Sequence, residues 1–132
     1  MSYQKIQAAL DTHLQAYSGA DLIFPSTLYM PRHGREFVAA EFIPGTVKTV
    51  FLGAESEKEH RGLYKLWVRS PSFQSALRLV DQLRAHFLPG QSLIFDGLKV
   101  FTETSEVEKG KGSLKFTNFP LVIQWRSYFK EA

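Results

Sequence analysis

The spacing of apolar residues changes along this chain, and that change limits the folds open to it. Over residues 2–17, Tyr3, Ile6, Leu10, Leu14 and Tyr17 recur at three- and four-residue steps, which places them on one face of a helix. Ser2 suits the start of that helix and Gly19 follows its end, as capping chemistry favours. Lys5, Gln7, Asp11 and Gln15 fall on its wet side. A second stripe is formed by Phe73, Ala76, Leu77, Val80, Leu83 and Phe87. Ser70 is a good N-cap for it, Pro71 suits a first helical position, and Leu88-Pro89-Gly90 stops it.

Elsewhere the period falls to two. Residues 21–24 form a short extended piece ending at Pro25, and the Pro and Gly of 29–35 make that stretch a loop. From Glu36 the chain alternates, with apolar residues on both sides, as in a strand covered on both faces for part of its length. Pro44-Gly45 reads as a turn, and 46–52 as the returning strand of a hairpin. The polar stretch 53–62, GAESEKEHRG, reads as a loop or the tip of a long hairpin. In 63–69, Tyr64, Leu66 and Val68 share one face, and Leu63, Lys65, Trp67 and Arg69 the other. After the second helix, 92–95 and 98–103 flank Asp96-Gly97, a favoured hairpin dipeptide. A charged loop at 106–113 precedes a last strand from about Leu121 to Phe129.

Strands outnumber helices, and the connections are short. The expected class is α+β: two helices packed on a largely antiparallel or mixed β-sheet. At 132 residues the chain fits a single domain over 1–132, since one domain takes roughly 100–200 residues. Two amphipathic helices can cover one sheet face. The apolar residues left on the other face point to a subunit interface, because large exposed apolar patches rarely survive on monomers.

Composition removes whole classes of function. With no cysteine there is no disulfide framework, thiolate metal site or cysteine nucleophile. The longest apolar runs are far short of the ~20 residues a membrane helix needs. The start, MSYQKIQAALDTH, lacks the apolar core of a secretory signal, so the cytosol, or a particle assembled there, is the expected location. A net charge of +3 permits an anionic partner without demanding one.

No catalytic constellation is visible. His13, His33, His60 and His86 have no metal-ligand spacing. His13 reads as a partly buried helix residue, and His86 as a last-turn histidine favoured by the helix dipole. There is no Gly-x-Ser-x-Gly elbow. Asp81 faces away from its helix stripe, Asp96 belongs to a turn, and Glu57 and Glu59 sit in a charged stretch. Lys109-Gly110-Lys111-Gly112-Ser113 lacks phosphate-loop spacing, and Lys111 stands where an RNA-recognition strand needs an aromatic. Lys109 and Lys111 can still meet phosphate without reading sequence, or simply be solvated. Arg32, His33 and Arg35 cluster around Gly34, either as an ordinary loop or as a contact with an acidic subunit or DNA. Trp67, Trp125 and Tyr128 lie on predicted strands, as core residues or as interface anchors. No cofactor is implied.

Taken in order, several segments resemble the small tail-terminator proteins of long-tailed phages and prophages, related in fold to the tail terminator of phage lambda. They are the opening helix, Tyr29-Met30-Pro31-x-x-Gly34 leading into Phe37-Val38-Ala39, and Phe42-Ile43-Pro44. His60-x-Gly62-x-Tyr64-x-Leu66, Ala76-Leu77-x-Leu79-Val80-Asp81-x-Leu83 with His86-Phe87 and Pro89-Gly90, and Phe119-Pro120-Leu121-Val122-Ile123 follow. The likeness covers nearly the whole chain. It departs from the pattern at Trp67, where an acidic residue is expected, and in the lysine-rich loop 106–113.

The resemblance implies a structural virion protein with no enzymatic role. It would form a hexameric ring on the tail tube, stop tube polymerisation and dock the head connector, with DNA passing through its channel. Arg32, Arg35, Lys109 and Lys111 would then be candidate lumen or partner contacts. Another neck, tail-completion or tube protein is the alternative, and a small nucleic-acid-binding module stands behind it.

Overall fold

In the computed structural model, residues 2–17, 21–24, 36–49, 58–107, 111–112 and 117–129 are described. The elements run α1 (Ser2–Gln15), β1 (Asp21–Ile23), β2 (Phe37–Thr49), β3 (Lys58–Ser70), α2 (Phe73–His86), β4 (Ser92–Phe95), β5 (Leu98–Val107), β6 (Lys111–Gly112) and β7 (Thr117–Phe129). The strands make one sheet of order β1-β2-β3-β7-β5-β4, with β6 paired to β7. Among the described strand pairs, β1–β2 alone is parallel. The α+β class read from the sequence is the class observed.

Both helices lie on the same side of the sheet. Ile6, Leu10 and Leu14 of α1 are fully buried, as the stripe requires. In β3, His60, Tyr64, Leu66, Val68 and Ser70 are buried, and the odd-numbered residues between them are not. Register carries this parity across the sheet, setting Tyr64 beside Ile123, Leu66 beside Leu121 and Val38 beside Val68. These residues join α1, α2 and Phe87 in one core. Burying a side chain of this size stabilises by roughly 1.5–3 kcal/mol, so the helix-side layer holds the fold together.

Several expectations are corrected. Pro44-Gly45 is no hairpin turn, because β2 runs through it with a register shift between Pro44 and Val47. β1 pairs only with residues 37–39; among the described residues β2 is an edge at Pro44, where a missing N–H is tolerated. The stretch 53–62 is not all loop: 58–62 belong to β3, and 53–57 lie outside the described residues. Glu59 and Arg61 project from the outer face, while His60 and Gly62 turn inward.

The second helix starts later than expected. Ser72 caps it, in extended conformation, accepting from the Ser75 N–H at 3.1 Å. Pro71 precedes the cap, and Ser70 ends β3. The buried stripe of α2 is Ala76, Leu79, Val80 and Leu83, whereas Phe73 and Leu77 are 58% and 41% exposed. The charged loop is shorter too: β5 extends to Val107, Lys111-Gly112 pairs with β7, and β7 begins at Thr117. The Asp96-Gly97 turn is as read. Both residues have positive φ, 50° and 79°, the geometry that matches strand twist in a two-residue hairpin.

Candidate assembly surface

Among the described residues, no helix covers the outer sheet face. Its central residues alternate in sequence with the core. They are Ala39, Glu41 and Ile43 of β2, Glu59, Arg61, Leu63, Lys65 and Trp67 of β3, and Val122, Gln124, Arg126 and Tyr128 of β7. The face is a mosaic of apolar side chains and paired charges. Lys65 Nζ sits 4.6 Å from the centre of the Trp67 ring, and the Arg69 guanidinium 5.6 Å from that of Phe37. Arg126 lies 5.5 Å from the Phe101 ring and 6.0 Å from the Tyr128 ring. Cations over aromatic faces are stabilised by the ring quadrupole.

A charge network crosses three strands here. Arg61 Nε donates to Glu59, and Arg61 and Arg126 flank Glu103 at 3.5 and 3.7 Å. Tyr128 donates its hydroxyl to the second Glu59 oxygen at 3.2 Å. The hydrogen bond to Glu59 raises the pKa of Arg61, keeping it charged. Register explains the grouping, since Arg61 pairs with Arg126 and Glu59 with Tyr128. The two arginines repel unless carboxylates lie between and beside them, and Glu103 and Glu59 fill those places. The network presents fixed, oriented charge, which suits matching to a partner surface.

On the covered side, a polar-aromatic cluster organises the core. The Tyr3 hydroxyl hydrogen-bonds His60 Nδ1 at 3.2 Å. His60 stacks on Phe129 at 3.6 Å between centroids, and Trp125 stacks on Phe42 at 5.3 Å. Gly62 makes this arrangement fit: a Cβ there would lie 2.4 Å from the Ile43 carbonyl oxygen and 2.4 Å from the Trp125 ring. Nearby, Tyr64 donates to Asp11. Burial raises the Asp11 carboxyl above its ordinary range, and the Tyr64 hydrogen bond opposes that rise. Burial, then the Asp11 charge, pushes the Tyr64 hydroxyl up.

The helices are locked at their C-terminal ends. His13 Nε2–H donates to the His86 carbonyl at 2.7 Å, and His86 Nε2–H donates to the His13 carbonyl at 2.5 Å. The rings stack at 4.2 Å. The His86 carbonyl is one that a helix end leaves without a backbone partner, while the His13 carbonyl also accepts from the Ala16 N–H at 3.3 Å. Burial lowers the pKa of His13, partly offset by its bond to the His86 carbonyl.

The structure sorts the residues singled out in the sequence. Trp67 and Tyr128 lie on the outer face. Trp125 does not: at 1% exposure it belongs to the core, so in this protomer its ring offers no surface to a neighbour. Arg32, His33, Arg35, Glu57 and Lys109 lie outside the described residues. Lys111 is described as backbone only, paired with Asn118 in β6. His13 and His86 are brought together, while His60 is buried apart from them. Sequence reading missed the roles of His60, Gly62 and Glu103. The inward alternation of His60-x-Gly62-x-Tyr64 was the available signal. Among the described residues no group of His, Cys, Asp or Glu is arranged to hold a metal ion, and no helix is long and apolar enough to cross a membrane.

Residues 5–125 match the phage tail terminator protein family. The chain belongs to that family and is a structural protein of the phage tail. No curated protein matches it. One solved structure superimposes with a TM-score of 0.77 at 20% identity, covering 100% of this chain and 99% of that one. A chain from the virion of a native gene transfer agent particle superimposes with a TM-score of 0.64 at 14% identity, each chain covered to 96%. Both likenesses extend over essentially the whole fold.

Proposed function

We propose that this chain, as one tail-terminator domain over residues 1–132, assembles into a hexameric ring that caps the tail tube. The ring stops tube polymerisation and docks the head connector, and it works by shape without breaking bonds. The family match over 5–125 carries this reading. The uncovered sheet face supports it, because a terminator needs surfaces that accept one neighbour and refuse the next tube subunit. A ring follows from head-to-tail contacts whose rotation closes the circle.

DNA would pass through the channel, and Arg32, Arg35, Lys109 and Lys111 are the proposed lumen or partner contacts. Attraction to phosphate must stay weak there, since strong binding would hinder passage. Trp67 and Tyr128 are the proposed subunit contacts on the outer face. Assembly places the protein in host cytoplasm before it joins the virion tail.

Electron microscopy of the purified chain, alone and with tail tubes, tests the reading. Six-fold rings with a central hole, bound to tube ends, are expected; tubes that continue to grow in its presence would overturn it. Lys109→Glu combined with Lys111→Glu should reduce DNA delivery while leaving rings intact. Unchanged infectivity would remove the lumen assignment.

A further inference from the structure

Helices α1 and α2 bring their C-terminal ends together, and a pair of titratable rings joins them there. A carbonyl oxygen only accepts, so the two hydrogen bonds of the His13–His86 pair fix each ring as a donor at Nε2. In the neutral pair each Nδ1 therefore holds a bare lone pair. A proton arriving at Nδ1 leaves the Nε2–H in place. It also meets two helix ends, each with its histidine in the last turn, where terminal carbonyls favour positive charge. One proton can thus enter with both hydrogen bonds kept.

The second proton meets a different situation. The ring centres lie 4.2 Å apart with their planes 19° from parallel, so two imidazolium rings would stand face to face. A like charge that close disfavours ionisation. The surroundings do not relieve it. On α1, Asp11 is engaged by Tyr64 of β3, and Tyr17, 6.1 Å from His86, donates to Gln82. On α2, Arg84 adds a further cation in the last turn, while Arg78 pairs with Glu36 at the entry to β2. Phe87 closes the site, its ring 4.8 Å from His13 and 5.4 Å from His86. Among the described residues neither imidazole has a carboxylate partner.

We infer that His13 and His86 form a two-step proton clasp: the first proton leaves α1 joined to α2, and the second parts their C-terminal ends. The other ties of α1 lie away from the clasp. Tyr3 meets His60, Lys5 pairs with Asp96 at 3.2 Å, and Asp11 accepts from Tyr64. The parting is therefore local. It uncovers Leu14 and Phe87, both fully buried in the closed form, while the first turns of α1 stay on the sheet. The clasp is built within one protomer and does not depend on the ring reading.

Nuclear magnetic resonance of the full chain with isotope-labelled histidines, from about pH 8 down to about pH 5, spans the range in which imidazole titrates. The assigned ring signals of His13 and His86 should each move in two steps. The second should lie at least about one pH unit below the first, a tenfold loss of proton affinity. Amide hydrogen exchange in the last turn of α1, corrected for its intrinsic pH dependence, should accelerate at least about tenfold across the second step only. Glutamine keeps a donor near the Nε2 position and does not titrate. His13→Gln combined with His86→Gln should therefore hold that turn closed over the same range, with Asp11 still present. In either single variant the remaining ring should titrate in one step. Independent one-step titrations in the wild type overturn the clasp, as does an opening of α1 that begins with the first step or persists in the double variant. The wild-type titration decides the matter even if the variants do not fold.

Discussion

Gly62→Ala measures whether β3 begins before Leu63. If 53–62 were a solvated loop, an alanine there would be neutral, or slightly stabilising by restricting the unfolded chain. In the observed sheet Gly62 sits between Ile43 of β2 and Trp125 of β7. The new methyl would lie 2.4 Å from the Ile43 carbonyl oxygen and 2.4 and 2.8 Å from two Trp125 ring atoms. Ordinary contact between carbon atoms needs about 3.5 Å or more, so roughly 1 Å must be found on two sides at once. The Trp125 ring is stacked against Phe42, and the Ile43 oxygen is backbone beside the β2–β3 ladder, so neither yields cheaply. Overpacking of this kind costs about 1–3 kcal/mol, and the backbone clash puts the expected loss at the upper end, about 3 kcal/mol. At roughly 4 °C per kcal/mol for a chain of this size, the thermal midpoint should fall by about 12 °C. Circular dichroism on heating and urea titration both read this. Trp125→Leu in the Gly62→Ala background should show coupling, because it relieves the ring contact, yet it should not restore wild-type stability while the Ile43 contact remains. A midpoint within 1–2 °C of wild type for Gly62→Ala alone would refute the packing argument.

Three further outcomes are expected. Burial holds His13 below its ordinary pKa of 6.5, so its contribution to stability is fully present above pH 6.5 and is lost as pH falls through the lowered folded value. Wild-type minus His13→Asn urea stability should therefore shrink as pH drops below 6.5, a comparison from which the opposite effect of Asp11 cancels; a difference independent of pH counts against the assignment. Ser72→Ala should cost about 1 kcal/mol through loss of the cap, measurable as a lower urea midpoint, and an unchanged midpoint would argue that the hydrogen bond to Ser75 is not formed in solution. Leu79→Ala should cost about 2–5 kcal/mol and Phe73→Ala much less; the reverse order would mean that α2 is rotated about its axis.

The sequence by itself determined the two helices and the order of the main strands, because hydrophobic period follows directly from backbone geometry, but not the number of strands, since Pro44-Gly45 reads as dividing what is one strand, β2. The α1 stripe, the Asp96-Gly97 hairpin and the two faces of 63–69 were all legible this way. It also allowed the family resemblance to be stated from ordered spacing. Tertiary structure decided what a one-dimensional pattern cannot encode. Polar residues become core when a partner arrives from elsewhere in the chain, as Tyr3 does for His60 across 57 positions. A Pro-Gly pair becomes a bulge once β3 lies beside it. Glu103 becomes the centre of a charge network only because β5 and β3 both flank β7. Trp67 and Trp125 look alike in sequence, yet one faces outward and the other is sealed in. Strand parity separates them, and parity is fixed only when register across the sheet is fixed.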